Sequence, residues 1–181
     1  LDTYEAAGLL RAGGLFGHGI HLTESERSRI REAGAAIIHC PTSNTFIGSG
    51  LFDMDGLMRD GTVVGLATDT GGGSSFSMLR TMAAAYEIAQ LRRHPLHPAQ
   101  LLWLATEGSA RALRLDDKIG RLAPGIEADL VILDLASTPV ICQRATRANT
   151  IWEAVFPTIM MGDDRAIREV RVMGRPGVRH T

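Results

Sequence analysis

Val63-Val64-Gly65-Leu66-Ala67-Thr68-Asp69-Thr70-Gly71-Gly72-Gly73 is an apolar run that stops on one carboxylate and opens into a glycine loop. A parallel strand buried on both faces reads as a near-continuous apolar run, and residues 63–67 have that character. Asp69 then stands where such a strand emerges, at its C-terminal end. That is the end at which barrels of alternating strands and helices carry their catalytic groups. A carboxylate there is also a hard oxygen ligand for a divalent cation. An isolated Thr-Asp pair is more simply the cap of a helix or turn, so the neighbours of this segment decide its meaning.

The neighbours repeat its rhythm. Leu15-Phe16-Gly17-His18-Gly19-Ile20 reads as a strand, and Thr23 with Glu26 three residues later forms the pattern of a capping box before a charged helix. Gly34 suits the stop of that helix. Ala35-Ala36-Ile37-Ile38-His39-Cys40 is the next strand, ended by Pro41, which lacks a donor. A polar loop through Ser43, Asn44 and Gly48 leads to a short helix over residues 55–59 and so to the strand before Asp69. Beyond the glycines, residues 76–92 carry Met78, Met82, Ala85, Ile88 and Ala89 on one helical face, and residues 98–113 predict a further helix. Three strand–helix units in series predict a parallel α/β sheet or barrel.

The pattern changes near Gly120. Residues 119–125 have turn chemistry, residues 128–134 read as a strand, and residues 167–173 alternate as a half-exposed strand does. Residues 119–181 are therefore expected to form a small β-rich appendage, with a less regular crossing over residues 136–157 and a boundary near residue 118.

Composition narrows the field. With 181 residues, 45% hydrophobic and 22% charged, the chain has the make-up of an ordinary globular domain. A formal net charge of −1 gives no electrostatic reason to bind nucleic acid or an anionic membrane. No apolar run approaches the ~20 residues that span a bilayer. Leu1-Asp2-Thr3-Tyr4-Glu5 has neither a basic leader nor a starting Met, so it reads as a chain entered mid-protein rather than as a signal peptide. Cys40 and Cys142 form neither a CxxC pair nor a disulfide framework, which predicts a reducing, cytoplasmic setting.

Three successive strand ends deliver polar, ligand-capable side chains: His18, then His39 with Ser43 and Asn44, then Asp69. Imidazole and carboxylate are common zinc ligands, and catalytic zinc sites keep one position open for water. His21, His94, His97 and His180 are better read as ordinary surface or core residues, while spacing alone leaves His39 open between ligand and core. Cys40 reads as a small buried hydrophobe. Gly71-Gly72-Gly73 lacks the lysine of a phosphate-binding loop, so it is read as allowing close approach of backbone to a ligand. Trp103, Met78 and Met82 lie at helical spacing and are expected in the core.

Gly17-His18-Gly19-Ile20-His21-Leu22, the segment from His39 to Asn44 with Gly48-Ser49-Gly50, and GLATDTGGGSSFSMLRTM over residues 65–82 together resemble the guanine deaminases of the amidohydrolase superfamily. Gly108-Ser109-Ala110-Arg111-Ala112-Leu113 and IGRLAPGIEADLVILD over residues 119–134 are similar to the superfamily's common ending. The resemblance covers essentially the whole chain. It implies that residues 1–118 are the C-terminal part of a (β/α)8 barrel, strands 6–8 with their helices, and that residues 119–181 are part of a small β-sandwich-like domain. It implies zinc as cofactor, guanine as substrate, xanthine and ammonia as products in purine catabolism, and a homodimer. Asp69 matches the zinc-binding aspartate that also contacts the catalytic water and accepts its proton, and His18 matches the histidine beside the metal that orients water or substrate. Both would thus be catalytic and substrate-contacting, with Asp69 the metal ligand.

The family's HxH ligand pair, its third histidine ligand, its proton-shuttling glutamate and the Gln and Arg that grip the purine have no counterpart in these 181 residues. The resemblance then gives this chain one zinc ligand of four, where a catalytic zinc uses about three protein ligands. By itself the chain is expected to hold zinc poorly and to turn over nothing. Two alternatives stand beside guanine deamination: another amidohydrolase acting on an adenosine-type or triazine-type ring, or a non-catalytic piece that oligomerises through unpaired strand edges.

Overall fold

The capping box at Thr23 forms in full: the Glu26 backbone N–H donates to Thr23 Oγ1 at 3.3 Å, and the Thr23 N–H donates to Glu26 Oε2 at 2.9 Å. These atoms belong to a computed structural model of the chain, which describes residues 1–177. His180 lies outside the described residues. The first half runs α1 (Asp2–Ala6), β1 (Leu15–Gly17), α2 (Glu24–Glu32), β2 (Ala36–His39), α3 (Pro41–Phe46), α4 (Met54–Arg59), β3 (Val63–Leu66) and α5 (Met78–Leu91). β2 is the middle strand, parallel to both neighbours, with Phe16 opposite Ile37 and Ile37 opposite Val64. The apolar strands are covered chiefly by α2, α4 and α5, which bury Ile30, Met54 and Leu57, and Leu79, Met82 and Ile88.

The core gathers Ile30, Ile37, Phe52, Leu57, Val64, Leu79, Met82, Leu101 and Leu104, all buried. Each such side chain contributes about 1.5–3 kcal/mol through its removal from water. An ion triad fastens the helices outside this core: Asp53 Oδ2 pairs with Arg27 at 2.9 Å and Asp53 Oδ1 with Arg92 at 2.8 Å. Burial alone would raise the Asp53 pKa; the two guanidinium groups override it and hold the carboxyl below its ordinary value.

Two sequence expectations change. The segment after β2 is helical over Pro41–Phe46 rather than a loop. Proline is suited to a first helical turn, whose N–H groups have no partner. Thr45 Oγ1 bonds back to the Pro41 carbonyl at 3.0 Å, and the Asn44 N–H donates to Cys40 O at 2.9 Å. The Thr-Ser-Asn composition, which favours turns, conceals this short helix in the sequence.

The helix expected over residues 98–113 is interrupted. α6 (Pro98–Trp103) passes through a π-helical turn, Leu104–Gly108, into α7 (Ser109–Ala112). Ser109 Oγ thereby reaches β3, accepting the Leu66 N–H at 3.1 Å and donating to Leu104 O at 2.7 Å. Gly65 makes room for this contact, since a Cβ there would lie 3.2 Å from Ser109 Cα.

In the second half, β4 (Leu130–Leu133), β5 (Ile167–Val172) and β6 (Arg175–Pro176) form one three-stranded antiparallel sheet in that order. Within residues 119–177 these strands form one sheet, which leaves the expected sandwich-like arrangement unconfirmed. The crossing between β4 and β5 is helical: α8 (Pro139–Ala145) and α9 (Ile151–Met161) start on Thr138 and Thr150, whose hydroxyls accept N–H groups of Ile141 and Glu153. Pro157 inside α9 explains why the sequence reads as irregular there. α9 packs on α5, with the Tyr86 and Phe156 rings 5.0 Å apart, and it adds Val155 and Ile159 to the core. Among the described residues no helix is long and apolar enough to cross a membrane.

His39 is only 1% exposed and stacks on Phe52, the ring centres 4.2 Å apart. Burial pushes its pKa down to about 3. The unfolded chain takes up this proton near pH ~6.5, while the folded chain stays neutral to about 3, so acid favours unfolding across that window. His39→Gln is therefore expected to weaken the loss of stability between pH 7 and pH 5, read as a smaller change in urea midpoint than in the unmodified protein. An unchanged pH dependence would contradict this account. A second expectation concerns the outer edges of β1 and β3, which have no partner strand among the described residues. The 181-residue chain expressed by itself should self-associate in light scattering, and a monodisperse monomer would refute that.

Candidate active site

Parallel pairing brings the C-terminal ends of β1, β2 and β3 to one edge of the sheet. His18 comes directly after β1. Its N–H continues the ladder to Ile38 O at 2.9 Å, and its φ of 71° turns the chain sharply. Asp69 lies three residues beyond β3 and has a φ of 48°. Left-handed backbone at a non-glycine residue costs about 1–3 kcal/mol and clusters at functional sites. Here the two residues that adopt it at the sheet edge are the two singled out by the sequence. Their side chains meet: His18 Nε2 is 3.7 Å from Asp69 Oδ2, and both remain more than one third exposed.

The glycines after Asp69 make this closeness possible. Gly73 donates its N–H to Asp69 O at 2.6 Å, and a Cβ on Gly73 would fall 2.1 Å from the Thr68 carbonyl oxygen. A Cβ on Gly72 would sit 2.8 Å from Ser43 Oγ and 3.2 Å from Asp69 Oδ2. The loop thus folds back onto Asp69 and Ser43, the neighbours that the glycines allow it to approach.

Strand alternation sorts the residues at the end of β2. Successive side chains point to opposite faces, so His39 turns into the core against Phe52, while Cys40 turns to the site. His18, Cys40 and Asp69 offer three ligand atoms within 4.8 Å of one another, a possible metal group. Burial pushes the Cys40 thiol up, and the Asp69 charge adds to this, which keeps sulfur in its poorly coordinating protonated form. Imidazole and carboxylate are the donors that suit a zinc ion here. A catalytic zinc uses about three protein ligands.

Sequence reasoning misses the place of Cys40 at the site, which is set by its parity with His39, and it names Asn44 and Ser43 without their partners. Asn44 is fully buried and its Oδ1 lies 2.7 Å from His18 Nδ1. The remaining described histidines behave as ordinary residues. His21 is exposed, His94 faces Asp55 at 3.4 Å, and His97 Nδ1 accepts the Ala99 N–H to cap α6. Trp103, Met78 and Met82 pack in or against the core.

This arrangement of strand ends has parallels among known proteins. Over 175 residues the chain is 39% identical to guanine deaminase of Escherichia coli (strain K12), an overlap of 97% of this chain and 40% of that protein. The chain thus spans about two fifths of the length of that relative. The solved structure of E. coli guanine deaminase superposes with a TM-score of 0.96 at 37% identity, covering 99% of this chain and 42% of that one. An adenosine deaminase from Xanthomonas campestris, solved with bound zinc, superposes with a TM-score of 0.81 at 26% identity, over 97% of this chain and 38% of that one. The defining pattern of the amidohydrolase family matches residues 1–176, and with the strand-end histidine and aspartate in the same molecule the chain belongs to that family.

Proposed function

We propose that the protein containing this chain removes the 2-amino group of guanine by hydrolysis, giving xanthine and ammonia, and that Asp69 and His18 are two of its catalytic and substrate-contacting residues. The observation that supports this most is the meeting of His18 and Asp69 at 3.7 Å on the C-terminal edge of a parallel sheet. The similarity to E. coli guanine deaminase supports guanine as the substrate. On this reading residues 1–118 are the C-terminal part of a (β/α)8 barrel and residues 119–181 belong to a small β domain, with α9 lent to the barrel side.

Asp69 would hold the zinc ion through its carboxylate, with the remaining ligands supplied from outside these residues. When bound, zinc lowers the pKa of water toward ~7 and provides a nucleophile at neutral pH. The chain's own residues do the rest. The Asp69 carboxylate accepts a proton from the attacking water, and His18 Nε2 accepts a hydrogen bond that aims this water at C2 of the purine. Water oxygen bonds to C2, the C2–N bond breaks, and the proton carried off by the carboxylate leaves with the nitrogen as ammonia. Proton removal and return by one carboxylate suits a reaction that needs a base first and an acid second. Alone, this chain holds zinc weakly and is inactive.

The reading places the protein in the cytoplasm as a homodimer acting on a free purine, in keeping with two unbridged cysteines, Cys40 and Cys142. An adenosine-type ring is the second candidate substrate, favoured by the likeness to the zinc-bound adenosine deaminase. In the zinc-loaded full-length protein, ammonia release from guanine should exceed that from adenosine. Asp69→Asn should lower kcat by at least about a hundredfold, the scale of a lost acid–base group. Undiminished turnover by that variant would remove Asp69 from the mechanism, and preference for adenosine would replace the substrate.

A further inference from the structure

A neutral imidazole carries one N–H, and which nitrogen holds it is set by the hydrogen bonds that the ring makes. In His18 the Nδ1 side faces the amide oxygen of Asn44 at 2.7 Å, and the Nε2 side faces Asp69 at 3.7 Å. We propose that Asn44 is a positioning residue for His18: its Oδ1 accepts the Nδ1–H, holds that tautomer, and leaves Nε2 as a hydrogen-bond acceptor toward Asp69. The inference rests on the assignment of His18 to the reacting site.

Geometry selects this tautomer over the other. An amide oxygen only accepts, so the 2.7 Å contact requires the proton on Nδ1. At 3.7 Å the Asp69 carboxylate is beyond hydrogen-bond range of Nε2 and does not draw the proton there. A water about 2.8 Å from each group would fit across the gap, donating one O–H to Nε2 and the other to the carboxylate. With the proton on Nε2 the same water would meet a donor, and its orientation would reverse.

Both partners are anchored. The His18 backbone is bonded to Ile38 O at 2.9 Å, so the ring goes with the end of β1. Asn44 sits on α3 with its N–H on Cys40 O at 2.9 Å, and its carbonyl accepts the Ser49 N–H at 2.9 Å. Its Nδ2 is buried without a partner among the described residues, so the contact to His18 is the hydrogen bond that the Asn44 side chain makes there. A fully buried amide serving one exposed imidazole is what a fixed tautomer requires, and packing alone would be met by leucine.

The test uses zinc-loaded full-length protein with histidine rings labelled in 15N, the His18 signals being assigned by their loss in His18→Gln. At pH 8 the unmodified protein should show His18 protonated on Nδ1 and bare on Nε2. A proton on Nε2 there overturns the proposal before any change at Asn44 is made. Asn44→Leu should move the proton to Nε2 and lower kcat for guanine about 10–100-fold, the usual effect of a group that orients an active-site imidazole, with KM little changed. Asn44→Asp, which keeps an acceptor oxygen, should retain the tautomer and most of kcat, and it decides the matter if Asn44→Leu does not fold. Retention of the Nδ1–H tautomer in Asn44→Leu, or full kcat after its loss, refutes the role. If the unmodified protein leaves guanine untouched but the tautomer still depends on Asn44, the proposed reaction fails and the positioning stands.

Discussion

The parallel register of β2 between β1 and β3 is the constraint on which the rest depends. Phe16, Ile37 and Val64 lie side by side across the three strands, so the strands end at nearly the same level. The residues after each strand are thereby delivered to one edge: His18 from β1, Cys40 and α3 from β2, Asp69 from β3. A slip of one residue in β2 would exchange His39 and Cys40, placing a buried imidazole at the site and a thiol against Phe52. Ala36 and Ile37, which point to opposite faces, are both buried in this register, so β2 is packed on each side.

The loops are held to this edge by contacts that leave little freedom. Ser109 accepts the N–H of Leu66, the last residue of β3, and Gly65 lets it approach. Gly73 closes the turn on the Asp69 carbonyl, while Gly72 rests against Ser43 and the Asp69 carboxylate. The left-handed backbone at His18 and Asp69 is the local strain that these contacts sustain. Charge behaves consistently with the arrangement. Burial and the nearby carboxylate raise the Cys40 pKa, so the site keeps a neutral thiol beside an anionic oxygen and an imidazole.

Much of this is legible without coordinates. The alternation of apolar runs and amphipathic segments carries the strand–helix order, and the Thr23–Glu26 pair marks a helix start to the residue. Asp69 and His18 stand out because a polar residue at the end of a buried strand is out of character for that strand. The Asn44–His18 pair cannot be found this way, since its members are 26 residues apart and only the register of β1 and β2 brings them together. α3 and α9 are hidden for opposite reasons. α3 is made of turn-favouring residues that the fold makes helical, and α9 contains a proline that its packing on α5 accommodates. The π-helical turn before Ser109 has no sequence period of its own and is defined by the need to bring one hydroxyl to β3.

Chemistry and selectivity are separable in such a site. On the proposed reading, His18 and Asp69 act on water and on the carbon–nitrogen bond. That division explains how one fold superposes on a guanine deaminase and on an adenosine deaminase. Selection among rings falls to groups that hydrogen-bond the substrate edge, because a site built to pair with particular N–H and C=O groups rejects a ring that leaves them unpaired. In this chain the segment placed to take part is the loop from Thr70 to Ser77, whose glycines bring its backbone against Asp69 and Ser43. Within it the Gly73 N–H donates to the Asp69 carbonyl at 2.6 Å. On that reading, Asp69 and the loop after it share one mechanical support, the end of β3, while His18 is carried by the end of β1.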